Sequence, residues 1–143
     1  FGLETVTLRY FNVYGDRQPL KGQYAPVIGI FLKQNLSGAP MTIIGDGEQR
    51  RDFTHINDIV EANIRAADLS NKAIIGEIIN VGTGVNYSIN EIAEMIEGNT
   101  VNIDTRPGES RTTQACTKKI EKLLKYKPED KLKEYIKNEC SSR

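Results

Sequence analysis

The sequence predicts an α/β fold, and three observations carry the prediction. Residues 5–10 alternate, with Val6, Leu8 and Tyr10 on one face and Thr5, Thr7 and Arg9 on the other, the period-two pattern of a strand. Residues 25–37 set Val27, Ile28, Phe31, Leu32 and Leu36 in one apolar stripe, the pattern of a helix with a buried side. Ile78–Val81 is a short apolar run, followed a few residues later by a second helical pattern. Strands alternating with helices define the class.

Taken in order, residues 11–22 are irregular, with two glycines, Pro19 and mixed charge. Pro26 suits a first helical position, and Gly38 followed by Pro40 ends that helix. Met41–Ile44 reads as a strand. Asn57 or Asp58 caps the next helix, with Glu61 three residues after Asp58 as a capping box. Its core side is Ile59, Ala62, Ala66 and Leu69. Ser88 with Glu91 is a second capping box, opening a helix with Ile89, Ile92, Ala93 and Ile96 inward and Gly98 as its stop. Residues 101–104 suit one more strand. Residues 118–139 are helical and broken at Pro128, with eight lysines against five acidic residues. A solvated helical face is the preferred reading of that run, a polyanion-binding surface the minor one. Residues 5–10 and Ile78–Val81 read as the last members of a parallel sheet. Residue 1 is Phe rather than Met and lies close to a strand, so the chain is expected to be a fragment or one half of a two-part protein.

At 143 residues the chain has the size of one domain. Nineteen basic and nineteen acidic residues cancel, which argues against a bulk nucleic-acid binder. No apolar run approaches the ~18 residues of a membrane span, so neither nucleic acid nor membrane is expected as a partner. Cys116 and Cys140 fit no metal spacing. Two free thiols in a reducing compartment, the cytoplasm, is the expectation.

Gly82-Thr83-Gly84 follows a strand, but a dinucleotide fingerprint needs a further glycine where Tyr87 stands. A strand-to-helix turn is preferred over a ligand loop. No tyrosine is followed four residues later by lysine, and the single His55 offers no Ser-His-Asp arrangement. No catalytic residue and no metal ligand is therefore assigned. His55 reads as an acid or base or, more commonly for a lone histidine in an apolar stretch, as a hydrogen-bonded structural residue. Asp52 reads as fixing the local turn or pairing with an arginine. What remains is anion binding. Arg50 and Arg51 follow the Gly45-Asp46-Gly47 turn, and guanidinium matches phosphate oxygens in a two-pronged geometry. Arg106-Pro107-Gly108-Glu109, with Arg111 beyond, offers a cation for phosphate and a carboxylate for ribose hydroxyls. Surface arginines near turns are also common, so the residues alone leave both readings open.

Five segments together resemble a known family. Leu8-Arg9-Tyr10-Phe11-Asn12-Val13-Tyr14-Gly15 is one. Gly45-Asp46-Gly47 through Arg51-Asp52-Phe53-Thr54-His55-Ile56 to Asp58 is the second. Asn80-Val81-Gly82-Thr83-Gly84, Arg106-Pro107-Gly108-Glu109 and Tyr126-Lys127-Pro128 complete the series. In this order, over nearly the whole chain, they resemble the nucleotide-sugar epimerases and dehydratases of the extended short-chain dehydrogenase/reductase family, closest to UDP-glucose and UDP-N-acetylglucosamine 4-epimerases.

The resemblance implies the C-terminal portion of a Rossmann-type enzyme: the last strands of the parallel sheet plus the small substrate-binding lobe. It implies NAD as cofactor, held mainly by an N-terminal part, and a UDP-sugar as substrate, epimerised through a 4-keto intermediate. Arg51 and Asn12 then match diphosphate contacts, and Arg106 and Glu109 the nucleotide phosphate and ribose contacts. Thr42, Ile43 and Ile44 match the segment beside the base, and Phe11 the nicotinamide side. Arg50 is left facing solvent. A homodimer is implied for the complete enzyme. The family's glycine-rich loop and Tyr-x-x-x-Lys pair fall before residue 1, so the chain alone is expected to be inactive. A 4,6-dehydratase, a decarboxylase or an inactive nucleotide-binding module are the alternatives. Asp16 stands where many relatives have proline. Cys116 stands where relatives usually have aspartate, passing the next helix cap to Thr117.

Overall fold

A computed structural model describes residues 2–20, 22, 25–68, 70–105 and 108–141. The expectations on Leu69 and Arg106 lie outside the described residues. The chain opens with strands β1 (Thr7–Tyr10) and β2 (Val13–Tyr14), then helix α1 (Val27–Leu36). Strands β3 (Met41–Ile44), β4 (Arg50–Asp52) and β5 (Thr54–His55) lead into helix α2 (Ile56–Ala66). After a 3-10 turn, β6 (Ile78–Val81) and β7 (Asn86–Ser88) precede helix α3 (Ile89–Ile96). Strand β8 (Thr100–Ile103) and helices α4 (Lys118–Leu124) and α5 (Leu132–Ser141) complete it.

The strands pair β1 with β6, β2 with β5 and β3 with β8, all parallel, and β4 with β7 antiparallel. The two strands read as the last members of a parallel sheet pair with each other in parallel, Thr7 opposite Ile78 and Tyr10 opposite Val81. Two apolar cores result. Ile28, Phe31, Met41, Ile43, Ile92 and Ile136 belong to the first, built by α1, β3, α3 and α5. Ile59, Ala62, Ile79, Val81, Ile120 and Leu124 belong to the second, between α2, β6 and α4. Each fully buried large aliphatic or aromatic side chain contributes about 1.5–3 kcal/mol.

Helix ends correct several expectations. Pro26 is the flanking N-cap of α1 rather than its first residue. At the other end Ser37 is the C-cap and Gly38 follows with φ 70°. Ala39 N–H donates to Gln34 O and Gly38 N–H to Asn35 O, the paired closure that a left-handed glycine permits. The cap of α2 is neither Asn57 nor Asp58. His55 Nδ1 accepts the Asn57 N–H at 3.3 Å. Asp58 is instead buried and accepts from Tyr126 Oη and Lys131 Nζ. Glu61 turns to Arg65, one helical turn along. The Ser88–Glu91 capping box is complete in both directions. Glu97, in the left-handed region, ends that helix one residue before Gly98. Thr117 does flank α4, though its hydroxyl bonds Glu121 rather than a backbone N–H.

Candidate functional site

The chain leaves β3 through Gly45-Asp46-Gly47 and returns as β4. Asp46 Oδ1 accepts the Glu48 N–H at 3.0 Å and an Arg111 N–H at 2.8 Å. That contact to Arg111, then the Glu48 N–H, holds the Asp46 carboxyl below its ordinary value. Gly47 has φ 74°, and a Cβ there would sit 2.0 Å from Asn90 Oδ1. Glycine is favoured there, because any side chain would be strained by the positive φ and would displace Asn90.

Alternation along β4 then sorts three consecutive charged side chains. Arg50 does not face free solvent. Its Nε donates to Asn86 Oδ1, and one Nη to both Asn86 O and Glu91, all at 2.9 Å. Asp52 is fully buried and, among the described residues, pairs with no arginine. Its carboxylate accepts the Thr83 N–H and hydroxyl, the Gly84 N–H and the Ala115 N–H, at 2.9–3.0 Å. Arg51, between them, projects the other way and is 13% exposed. Its Nη1 donates to Arg50 O at 2.9 Å and its Nη2 to Glu109 at 3.0 Å.

Arg51 borders a cleft of about 640 Å³, within the ordinary range for small-molecule sites. Of the residues expected at a site, Asn12, Thr42, Ile44, Arg51 and Glu109 all line it. Asn12 Nδ2 donates to Asp52 O at 2.8 Å, which ties it to the strand that carries Arg51. Ile43 does not line it. It is 3% exposed and part of the first core, because alternation along β3 that turns Thr42 and Ile44 outward turns Ile43 inward. Phe11 is not among the lining residues; its N–H extends the β1–β6 pairing to Val81 O. Arg106 lies outside the described residues.

The cleft also contains residues that sequence reasoning did not single out, among them Tyr14, Arg17, Gln18, Gln49 and Phe53. Gln49 is buried and donates to Ile44 O at 2.9 Å. A glutamine in a turn beside two arginines carries no signal of its own. Tyr14 is buried, and burial, reinforced by Asp130 and Asp58, pushes its hydroxyl above the ordinary tyrosine range. Among the described residues no group of three His, Cys, Asp or Glu side chains is placed to hold a metal. No helix of the described residues is long and apolar enough to cross a membrane.

The sequence model of the NAD dependent epimerase/dehydratase family matches residues 1–82, more than half of the chain. The chain belongs to that family. A protein of Methanocaldococcus jannaschii that carries the provisional name UDP-glucose 4-epimerase is 41% identical over 143 residues, which cover 96% of this chain and 45% of that protein. The UDP-N-acetyl-alpha-D-glucosaminuronate decarboxylase of Bacillus cytotoxicus is 44% identical over 95 residues, 66% of this chain and 28% of that protein. Among solved structures, UDP-glucuronic acid 4-epimerase from Bacillus cereus, in complex with UDP-glucuronic acid and NAD, superposes with a TM-score of 0.84 at 36% identity. That match covers 95% of this chain and 44% of the other. The chain thus spans less than half the length of these epimerase/dehydratase relatives, corresponding to their C-terminal portion, and its fold is that of the extended short-chain dehydrogenase/reductases.

An NAD-dependent family raises the question of a dinucleotide cradle. Gly82-Thr83-Gly84 does not supply one. The N–H groups of Thr83 and Gly84 are committed to Asp52, and a Cβ on Gly82 would lie 2.4 Å from Ala115 Cβ. These glycines admit the chain's own carboxylate and the 115 segment, not a pyrophosphate.

Proposed function

We propose that the chain provides the nucleoside-diphosphate-sugar-binding lobe of an NAD-dependent epimerase acting on a UDP-hexose or UDP-N-acetylhexosamine through a 4-keto sugar. Arg51 is the observation that carries the reading. A guanidinium 13% exposed, at the border of a cleft with Asn12, Thr42 and Ile44, is suited to a buried diphosphate, which requires charged donors when it leaves water. Asn12 uses one amide N–H on Asp52 O and keeps a second for an oxygen acceptor. Glu109 accepts ribose hydroxyls in this reading, and Arg106 takes nucleotide phosphate. Thr42 and Ile44 border the base, and Phe11 lies toward the nicotinamide. NAD is held by the part of the family fold that this chain does not span. A homodimeric cytoplasmic enzyme accompanies the proposal.

The residues of this chain bind and orient; none is assigned to proton transfer. The chain has no Tyr-x-x-x-Lys, and the purified 143 residues should not epimerise a UDP-sugar. Titration calorimetry with UDP tests the binding role. Arg51→Ala should weaken UDP binding by ~2 kcal/mol or more, as for a charge-assisted bidentate contact. Equal affinity in the variant would make Arg51 structural. The decarboxylase relative supports a second reading, oxidative decarboxylation of a UDP-hexuronate; product analysis of the complete enzyme separates a released CO₂ from an inverted C4.

A further inference from the structure

The turn after β2 forms one wall of the cleft, and a helix at the far end of the chain touches it. Gln18 lines the cleft with Pro19, Pro26 and Val27. Its N–H closes the turn onto Gly15 O at 3.3 Å, with Arg17 in the left-handed region at φ 62°. Its side chain lies across α1 at Gly29, where a Cβ would meet Gln18 Cδ at 3.1 Å. Its Nε2 donates to Tyr135 Oη on α5 at 3.2 Å, across 117 residues of sequence. Tyr135 is itself seated edge-on against Tyr14, at 5.1 Å between ring centroids, and against His55, at 5.8 Å. Leu132 and Ile136 bury α5 in the first core.

We propose that Tyr135 is a positioning residue for substrate selectivity: through Gln18 it fixes the cleft wall that meets the sugar. The proposal rests on the reading that a nucleotide sugar fills the cleft. Gln18 is a neutral amide bonded to Tyr135, whereas Arg51 is paired with Glu109. A primary amide offers one acceptor and two donors, and which end faces where is decided by its partners. Tyr135 takes the donor end. The acceptor, Gln18 Oε1, is buried and has no partner among the described residues. A buried acceptor without a donor is unfavourable, and a hexose hydroxyl is a donor of the required kind.

The test uses Tyr135→Phe, which keeps the ring against Tyr14 and His55 and removes only the hydroxyl. UDP and UDP-glucose are titrated into the 143-residue protein. UDP affinity should stay within about twofold, while UDP-glucose affinity falls about fivefold, the effect of one net hydrogen bond. In a Gln18→Ala background, Tyr135→Phe should cost markedly less UDP-glucose affinity than in the native chain, because the two are coupled. Without ligand, the Gln18 side-chain amide resonances should shift and exchange faster in Tyr135→Phe. Equal losses for both ligands, additive effects of the two substitutions, or an unchanged ratio would overturn the proposal and leave the nucleotide-sugar reading standing. A native chain that binds neither ligand would remove that reading, and this proposal with it.

Discussion

Asp52 and Thr83 are joined twice: Thr83 donates its backbone N–H at 3.0 Å and its hydroxyl at 2.9 Å to the same carboxylate oxygen. The other oxygen accepts from Gly84 and Ala115. One buried side chain thus ties two segments, residues 83–84 and 115, to the strand that carries Arg51. Asp52→Ala would leave three backbone N–H groups without an acceptor. It should cost roughly 3 kcal/mol or more, read as a lower urea midpoint at constant slope. A loss under about 1 kcal/mol would show that water replaces the carboxylate freely.

The capping box of α3 has a separable effect. Ser88 Oγ accepts the Glu91 N–H at 3.1 Å, and Glu91 accepts the Ser88 N–H at 2.6 Å while also holding Arg50. Ser88→Ala should destabilise the fold by about 1 kcal/mol. Glu91→Ala should cost more, because it releases Arg50 as well. Equal losses from thermal or urea unfolding would contradict the shared role of Glu91.

The acid limb of stability should depend on Asp46. Its hydrogen bond from Arg111, then the Glu48 N–H, depresses its carboxyl below the ordinary 3.8. A depressed folded value stabilises above the unfolded one and is lost as pH falls through the folded one. Arg111→Ala should therefore flatten the fall in stability below pH ~3.8. Both partners are more than half exposed, so the effect should also shrink with added salt. An identical acid limb in the variant would exclude the pair as a contributor.

Alkaline behaviour should be set by Tyr14, Tyr87 and Tyr126. Burial raises each above the ordinary 10.0, reinforced by Asp130 for Tyr14 and Tyr87 and by Asp58 for Tyr126. The neutral phenols then stabilise the fold fully below the unfolded value, and that contribution is lost as pH rises through the raised folded values. Tyrosinate absorbance should show these hydroxyls ionising only as the protein unfolds. Reversible titration of every tyrosine in the folded protein at the ordinary value would refute this.

What the sequence could disclose was local. Ser88 and Glu91 sit three apart before an apolar run, and both ends of that signal lie within one helical turn. The cap of α2 was misplaced because histidine seldom serves as one, and Asn57 and Asp58 were the better formers by type. Ile43 was within reach of the sequence, since alternation along β3 separates it from Thr42 and Ile44. The partners of Asp52 and Gln18 were not. They arrive from residues 83–84, 115 and 135, and no local pattern encodes a meeting at that range. Family resemblance pointed to five of the cleft residues, but the Gln18 wall came only with the packing of α5.

The strand pairing carries a kinetic consequence. Among the described residues no strand pairs with its neighbour in sequence; β1 waits for β6, β2 for β5, β3 for β8 and β4 for β7. A hairpin can zip from its own turn, but none of these ladders can. Each requires a long loop to be closed before its first hydrogen bond forms, and that entropy is spent early. Helices α1, α2 and α3 run 10, 11 and 8 residues, too short to persist unpacked, so they too depend on the strands they cover. Refolding should be slow for a domain of this size.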